Sequence, residues 1–188
     1  QLICLKIRII GDVRTIMEIA LFEPEIPPNT GNIIRLSVCT GSTLHIVGKP
    51  SFSLEDSMLR RAGLDYWNLS RLTSHESLEH FLDFLQQRDS QSRDQVRRRF
   101  VLTTRFAKSS FTDFAYEPDQ ILLFGKETSG LPDSVRAEFS EFQDHWLRIP
   151  VHAECRSLNL ANSVAIVLYE ALRQQGFPGL NLAPPSDT

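Results

Sequence analysis

The sequence predicts one α/β domain in which helices cover both faces of a mostly parallel β-sheet. Short apolar segments alternate along the chain with segments of helical periodicity, and this order is typical of parallel sheets. The apolar segments are continuous rather than interrupted at every second residue, as expected for strands that are buried on both faces. A chain of 188 residues, 41% of them hydrophobic, can form a core without disulfides or a structural metal.

The elements follow from local patterns. The predicted strands are residues 17–22, 43–47, 100–104, 120–124 and 146–149. The predicted helices are one that begins at Asn29 or Thr30 and ends at Gly41, residues 54–62, residues 74–87, one that begins at Pro132, and residues 158–174. Asn29 or Thr30 is expected to cap its helix because short polar side chains bind the free amides of a first turn. The helix at 74–87 has apolar residues at i, i+3, i+4 and i+7 from Leu78.

Three segments fall outside this pattern. Residues 88–99 (RDSQSRDQVRRR) contain one aliphatic residue and are expected to be an exposed, mobile, basic insertion in a domain that covers residues 17–180. Residues 181–188 are expected to be a tail. Residues 1–16 precede Met17, which we hypothesise to be the natural initiator, so that they lie outside the fold. In the alternative interpretation, their alternating apolar residues add an edge strand.

Composition argues against several classes of protein. Three distant cysteines without a CxxC pair are not typical of disulfide scaffolds or zinc fingers and fit a reducing, cytosolic compartment. We expect no membrane span and no signal peptide, because no apolar run supports either, and no metal site, because no histidine spacing supports one.

The net charge is −3, yet 16 of the 20 basic residues are arginine. Arginine favours bidentate contact with phosphate, so the sequence permits a local anionic partner.

Segments rich in Gly, Pro, Asn and Ser follow three of the predicted strands, at residues 23–31, 125–132 and 150–159. In parallel sheets, ligands bind outside the carboxyl ends of strands. Gly125 and Gly130 have the spacing of a phosphate-binding loop, but the lysine and hydroxyl residue that should follow are absent. What remains is a pocket formed largely by backbone, suited to a nucleoside cofactor. The alternative, that these glycines only form tight turns, stays open.

Three motifs resemble those of the SPOUT-superfamily RNA 2′-O-methyltransferases. They are PPNTGNIIR at residues 27–35, LFGKETSGLP at 123–132, and RIP at 148–150 followed by RSLNLAN at 156–162. Two longer matches, FEPEIPPNTGN at 22–32 and LRRAGLDY at 59–66, resemble the small single-domain enzymes that methylate the wobble nucleotide of leucine tRNAs. The resemblance covers nearly the whole chain.

The resemblance implies an S-adenosylmethionine-dependent enzyme with tRNA as its substrate, a C-terminal trefoil knot and a homodimer. The residues implied to bind the cofactor are Leu102, Thr103, Gly125, Glu127, Gly130, Ile149, Ser157 and Leu158. The implied catalytic residues are Arg35, Asn29, Ser157 and Asn159. The implied RNA-binding residues are Arg35, Arg60, Arg61 and Arg156.

Arg35 matches the arginine that the family places at the acceptor. A guanidinium is not ordinarily a base, so Arg35 is expected to orient phosphate and hydroxyl, or to act as a base only when a substrate phosphate perturbs it. Asn29 is expected to hold Arg35 or the ribose, besides its role as a cap. Asn159 is expected to shape the pocket, or only to cap the last helix.

Three functions are therefore compared: a cytoplasmic tRNA 2′-O-methyltransferase, a ribosomal RNA methyltransferase of the same fold, and a non-catalytic RNA-binding protein that retains a cofactor pocket. The lack of an added RNA-binding domain argues against the second. The presence of Asn29, Arg35 and Ser157 argues against the third.

Overall fold

A computed structural model of the chain describes residues 17–53 and 71–183. Within these ranges the strands are β1 (Glu18–Phe22), β2 (Thr43–Val47), β3 (Leu72–His75), β4 (Phe100–Thr103), β5 (Ser109–Ser110), β6 (Ile121–Phe124) and β7 (Trp146–Arg148). The helices are α1 (Pro27–Thr40), α2 (Leu78–Asp89), α3 (Arg93–Arg98), α4 (Asp133–Glu138), a 3₁₀ helix (Ser140–His145) and α5 (Leu160–Gln174).

The seven described strands form one sheet in the order β3-β2-β1-β6-β4-β7-β5. Every pair of neighbouring strands in this sheet is parallel, which confirms the predicted α/β architecture. The carboxyl ends of β1, β6, β4 and β7 are therefore adjacent along one edge, and the segments that follow them meet there. β7 lies between β4 and β5, although it follows both in the sequence.

Successive apolar residues of the central strands belong to different cores, one on each face of the sheet. Ile19 and Leu21 pack with α1 and α5 in the first core, whereas Ala20, between them, packs with α2, α3 and α4 in the second. Because both faces are covered, the central strand β6 is apolar at every position rather than at every second one.

Four helix starts differ from the prediction; α4 begins at Asp133, with Pro132 as its N-cap residue, and α5 begins at Leu160 rather than at residue 158. The predicted cap of α1 by Asn29 or Thr30 is wrong, because α1 already begins at Pro27 and its N-cap residue, Ile26, makes no side-chain cap bond. Proline is suited to the first helical position because it lacks an amide hydrogen. The predicted helix at 74–87 is wrong at its start, because residues 74 and 75 belong to β3 and the side chain of Ser77 caps α2.

The expectation that residues 88–99 are exposed is met only in part, because six of the twelve residues are exposed but the segment is also helical and contains buried residues. Helix α2 extends to Asp89, and α3 starts in a capping box formed by Ser92 and Gln95. Val96 is completely buried, and Arg99 is only 8% exposed. The polar composition indicated exposure because the carboxylate that binds these arginines lies far away in the sequence, at the start of β1.

That carboxylate is Glu18, the centre of a buried charged cluster at the amino-terminal edge of the sheet. Its oxygens accept hydrogen bonds from both Arg88 terminal nitrogens at 2.7 and 2.8 Å and from Arg99 at 2.8 Å. The Nε2 atom of His45 lies 2.7 Å from the same carboxylate, and its Nδ1 atom lies 3.0 Å from Nε2 of His75. Burial alone would raise the pKa of Glu18, but hydrogen bonds from His45 and Arg88 lower it to about 2.

Some predictions fall outside the described residues. These are the helix at 54–62, the arginines Arg60 and Arg61, the edge strand or extension at 1–16, and most of the tail at 181–188. None of the helices at 17–53 and 71–183 combines the length and apolar character needed to cross a bilayer.

Candidate functional site

The three segments that follow β1, β6 and β7 meet at the carboxyl edge of the sheet. A cavity of about 530 Å³ opens there, a size typical of sites for small ligands and cofactors. It is formed mainly by the end of β4 and its following turn, by residues 125–131, and by the segment between β7 and α5. The sequence predicted a pocket from residues 23–31, 125–132 and 150–159; the last two segments contribute to the cavity, but residues 23–31 do not line it, and the end of β4 takes their place.

Seven of the eight residues implied to bind the cofactor line this cavity. They are Thr103, Gly125, Glu127, Gly130, Ile149, Ser157 and Leu158. The exception is Leu102, which is fully buried in the core that faces α2 and α4. Its side chain points into that core because neighbouring residues of a strand face opposite sides, so only Thr103 at the strand end reaches the cavity.

Thr103 provides a test of whether a polar ligand fits the cavity. Its buried hydroxyl oxygen has no hydrogen-bond partner among the described residues, although buried polar groups are normally paired. A bound adenosine or methionine group offers donors and acceptors of the kind that this hydroxyl lacks. The unpaired hydroxyl of Thr103 therefore fits a polar ligand of the kind that S-adenosylmethionine represents.

The segment 125–131 is a tight backbone structure. The amide of Lys126 donates to the carbonyl of Gly130 at 3.2 Å, and the amide of Gly130 donates back at 2.9 Å. A Cβ atom at Gly125 would lie 2.1 Å from the carbonyl carbon of Gly130, so only glycine fits without moving the loop. Gly130 has a φ of +71°, but a Cβ there would meet nothing within 4 Å. Glycine is thus required at position 125 by the close approach of the backbone, and it is favoured at position 130 by the positive φ alone.

Glu127 connects this segment to the segment after β1. Its carboxylate accepts hydrogen bonds from the amides of Glu25 at 2.7 Å and Ile26 at 3.2 Å, and from the side-chain nitrogen of Asn29 at 3.1 Å. Thr128 in turn donates from its amide and hydroxyl to the carboxylate of Glu25. Glu127 lines the cavity, but both of its oxygens already have protein partners, so it acts mainly to join the two loops.

Asn159 connects the third segment to the first. Its side-chain nitrogen donates to the side-chain oxygen of Asn29 at 2.8 Å. Its own side-chain oxygen accepts from the amides of Ala161 and Asn162 and so caps α5. The two interpretations of Asn159, as cap and as site residue, are therefore compatible. The described hydrogen bonds of Asn29 lead to Glu127 and Asn159, not to Arg35.

The remaining site residues lie at different distances from the cavity. Ser157 and Arg156 line it and are exposed. Arg35 is exposed on α1, six residues and roughly 9 Å of helical rise beyond Asn29, and is not among the lining residues. Arg60 and Arg61 lie outside the described residues. The structure thus places Ser157 in the lining of the cavity, bonds Asn29 to Asn159 outside that lining, and leaves Arg35 away from the cavity of its own chain.

The cavity is strongly basic. Among the described residues, Glu127 is the single acidic residue that lines it, against five basic ones: Arg105, Lys126, Arg136, Arg148 and Arg156. A hydrogen bond with Glu23 raises the pKa of Lys126, which therefore stays charged. Sequence reasoning did not assign Arg105, Phe106 or Arg136 to the site, because no motif contains them and only the position of β4 beside β7 brings them there. Within the described ranges, no group of His, Cys, Asp and Glu side chains is arranged to hold a metal ion.

Comparison with known proteins gives consistent results. The model of the SpoU rRNA methylase family matches residues 17–169. The tRNA (cytidine(34)-2′-O)-methyltransferase of Yersinia pestis is 45% identical over 163 residues, which are 87% of this chain and 96% of that protein.

Solved structures share the fold. A structure described as "Structural insights into the 2-OH methylation of C/U34 on tRNA" has a TM-score of 0.73 and 33% identity, and the match covers 87% of this chain and 98% of that chain. The SpoU methyltransferase AviRb from Streptomyces viridochromogenes, in complex with AdoMet, has a TM-score of 0.73 and 25% identity over 86% of this chain and 61% of that chain. The resemblance found in the motifs is confirmed: the chain belongs to the SpoU rRNA methylase family.

Proposed function

We propose that the protein transfers a methyl group from S-adenosylmethionine to the ribose 2′-hydroxyl of a tRNA wobble nucleotide, cytidine or modified uridine at position 34 of leucine tRNAs. The observation that carries this proposal is the meeting of three distant segments in one basic cavity with an unpaired buried hydroxyl, that of Thr103. The Yersinia pestis relative supports the tRNA substrate and the AviRb complex supports the cofactor. We also propose residues 17–180 as the methyltransferase domain.

Residues 125–131, Thr103 and Ser157 hold the cofactor, which supplies, when bound, a methyl group on a positively charged sulfur. The chain's own contribution is to place the ribose hydroxyl in line with that methyl group and to favour loss of its proton. Arg35 orients the acceptor by binding its phosphate and hydroxyl, because a guanidinium donates but does not accept hydrogen bonds. Asn29 and Asn159 act as positioning residues, since they fix the first loop against the third.

We further propose that the active form is a homodimer in the cytoplasm. Arg35 does not line the cavity of its own chain, so a second copy that supplies this arginine would complete the site. Ile26, Ile166 and Tyr169 are apolar or aromatic side chains at least 36% exposed, which suits a contact between copies. Cys39 and Cys155 are free thiols among the described residues, which suits a reducing compartment. Sedimentation analysis should give the mass of two chains.

We also propose the trefoil knot. The insertion of β7 between two strands that precede it, followed by the return of α5 to pack on α1, is consistent with a threaded path. Limited proteolysis tests this proposal, because a chain cut once between β4 and β6 can unthread and should lose cofactor binding.

The function is tested by incubating the purified protein with labelled S-adenosylmethionine and unmethylated tRNA, followed by mapping of 2′-O-methyl groups. Methylation at position 34 of leucine tRNAs is expected. Methylation of ribosomal RNA but not of tRNA would favour the second function, and binding of RNA without methyl transfer would favour the third. In cells, deletion of the gene should remove the same modification.

A further inference from the structure

An exposed aromatic ring lies at the rim of the cavity. Phe106 lines the cavity and is 52% exposed, which is unusual for a phenylalanine. It lies in a turn that the backbone holds firmly, because the amide of Thr104 donates to the carbonyl of Leu147 at 2.9 Å and the amide of Ala107 donates to that of Thr104 at 3.3 Å. Ala107 is itself buried. The ring is thus presented to solvent by an anchored turn.

Two guanidinium groups border this ring. The guanidinium carbon of Arg136 lies 3.9 Å from the ring centroid of Phe106, and that of Arg105 lies 4.9 Å from it. Arg136 is held in place, since one of its terminal nitrogens donates to the carbonyl of Leu131 and the other to the carboxylate of Asp133. Arg105 is exposed. A flat ligand can therefore stack on the ring beside Arg105 or in its place, while Arg136 supports the ring.

The surroundings of the ring favour a polyanion. In the part of the chain that the structure describes, five basic residues line the cavity against one acidic residue, Glu127, whose oxygens already accept three hydrogen bonds. Two of the five pair with carboxylates, Lys126 with Glu23 and Arg136 with Asp133, whereas Arg105, Arg148 and Arg156 pair with no described carboxylate. An aromatic ring among arginines is the arrangement that binds single-stranded nucleic acid, because bases stack on the ring and phosphates pair with the guanidiniums.

We propose that Phe106 is a stacking platform for an unpaired base of the substrate RNA, and that Arg105 binds an adjoining phosphate. This inference rests on the proposed function, because the loop that carries the acceptor nucleotide supplies the base. It assigns Phe106 to the RNA rather than to the cofactor, since the predicted cofactor residues lie along the inner loops and Phe106 lies at the rim. Phe106 thereby orients the loop before methyl transfer.

The test measures binding of an anticodon stem-loop at fixed salt, methyl transfer under kcat/KM conditions, and binding of S-adenosylmethionine by calorimetry. We expect Phe106→Ala and Phe106→Leu to weaken RNA binding and kcat/KM about tenfold, which corresponds to ~1.4 kcal/mol, whereas Phe106→Trp stays near wild type. Cofactor affinity should not change. The salt dependence of RNA binding should be unchanged in Phe106→Leu, which removes no charge, and reduced in Arg105→Gln.

Leu182→Ala serves as the matched control, because it removes an apolar side chain that is 72% exposed and does not line the cavity. Loss of cofactor affinity in Phe106→Leu without loss of RNA affinity would overturn the proposal, and so would a change of oligomeric mass in that variant. A wild-type protein that methylates tRNA together with a fully active Phe106→Ala variant would refute the platform and leave the function intact. A wild-type protein that binds the stem-loop through Phe106 but never methylates it would refute the function and leave the platform intact.

Discussion

The side-chain nitrogen of Asn159 donates a hydrogen bond of 2.8 Å to the side-chain oxygen of Asn29, across 130 residues of sequence. The same Asn159 caps α5 through its side-chain oxygen. Asn159→Asp separates these two roles, because a carboxylate still accepts from the helix amides but cannot donate to Asn29. We expect this variant to keep its melting temperature within a few degrees and to lose at least about tenfold in kcat.

Asn159→Ala is the companion variant. It removes the cap as well, so it should lower both kcat and the free energy of unfolding, the latter by about 1 kcal/mol. Equal kcat values for Asn159→Asp and the wild type, measured by methyl transfer, would show that the bond to Asn29 has no role in positioning.

Arg35→Ala is expected to reduce methyl transfer by at least about a hundredfold while cofactor affinity stays nearly unchanged, because Arg35 does not line the cavity of its own chain. Turnover assays and calorimetry measure the two quantities. Arg173→Ala is the control, since it removes an exposed arginine that pairs with Glu170 at the far end of α5. Turnover of Arg35→Ala within about tenfold of wild type, ~1.4 kcal/mol in barrier, would remove Arg35 from the mechanism.

Gly125→Ala should weaken binding of S-adenosylmethionine at least about tenfold, because the added carbon would overlap the backbone at Gly130 and displace the loop. Gly130→Ala adds the same methyl group to the same loop but meets open space, so only its positive φ is unfavourable, by about 1 kcal/mol. Calorimetric titration of both variants should therefore show a much larger loss for Gly125→Ala. Equal losses would indicate that the close approach at Gly125 is unimportant.

The buried cluster at the other edge of the sheet predicts the response to acid. Burial, together with the charge of His45, lowers the pKa of His75 to about 4, from an ordinary value of 6.5. Between these values the unfolded chain binds a proton that the folded chain does not, so the free energy of unfolding should fall as the pH drops from about 6.5 to 4. His75→Gln keeps a side chain that can donate to or accept from His45, and it should flatten this part of the curve, as measured by urea denaturation.

Glu18 adds a second, more acidic transition. Because its pKa in the folded protein is about 2, the stability that it contributes is present above the ordinary carboxyl value of 4.5 and is lost as the pH falls towards 2. Glu18→Gln should remove this transition and lower stability at neutral pH, since Arg88 and Arg99 would lose their carboxylate.

The two transitions can be told apart with the His75 variant. If the stability curve of His75→Gln still falls between pH 6.5 and 4 as in the wild type, the transition in that range belongs to another group.

Much of the fold could be predicted because its signals are local. The apolar strand Ile121–Phe124 and the capped helix Leu160–Gln174 each follow from a few neighbouring residues. The motifs also located most of the cavity, since strand ends in a parallel sheet share an edge. The burial of Arg99 could not be predicted, because its partner Glu18 is 81 residues away. Phe106 could not be assigned to the site for a similar reason, since its contact with Arg136 joins residues that are far apart in the sequence.

The place of β7 in the sheet has a consequence for folding kinetics. Among the described strands, β5 pairs only with β7, and β7 enters between two strands that precede it. The residues after β7 that line the cavity can reach their places only once β7 has inserted into the sheet. Contacts across long sequence separations form slowly. Refolding should therefore recover helical circular dichroism before it recovers cofactor binding, and a newly made chain should pass through a stage that has a sheet but no binding site.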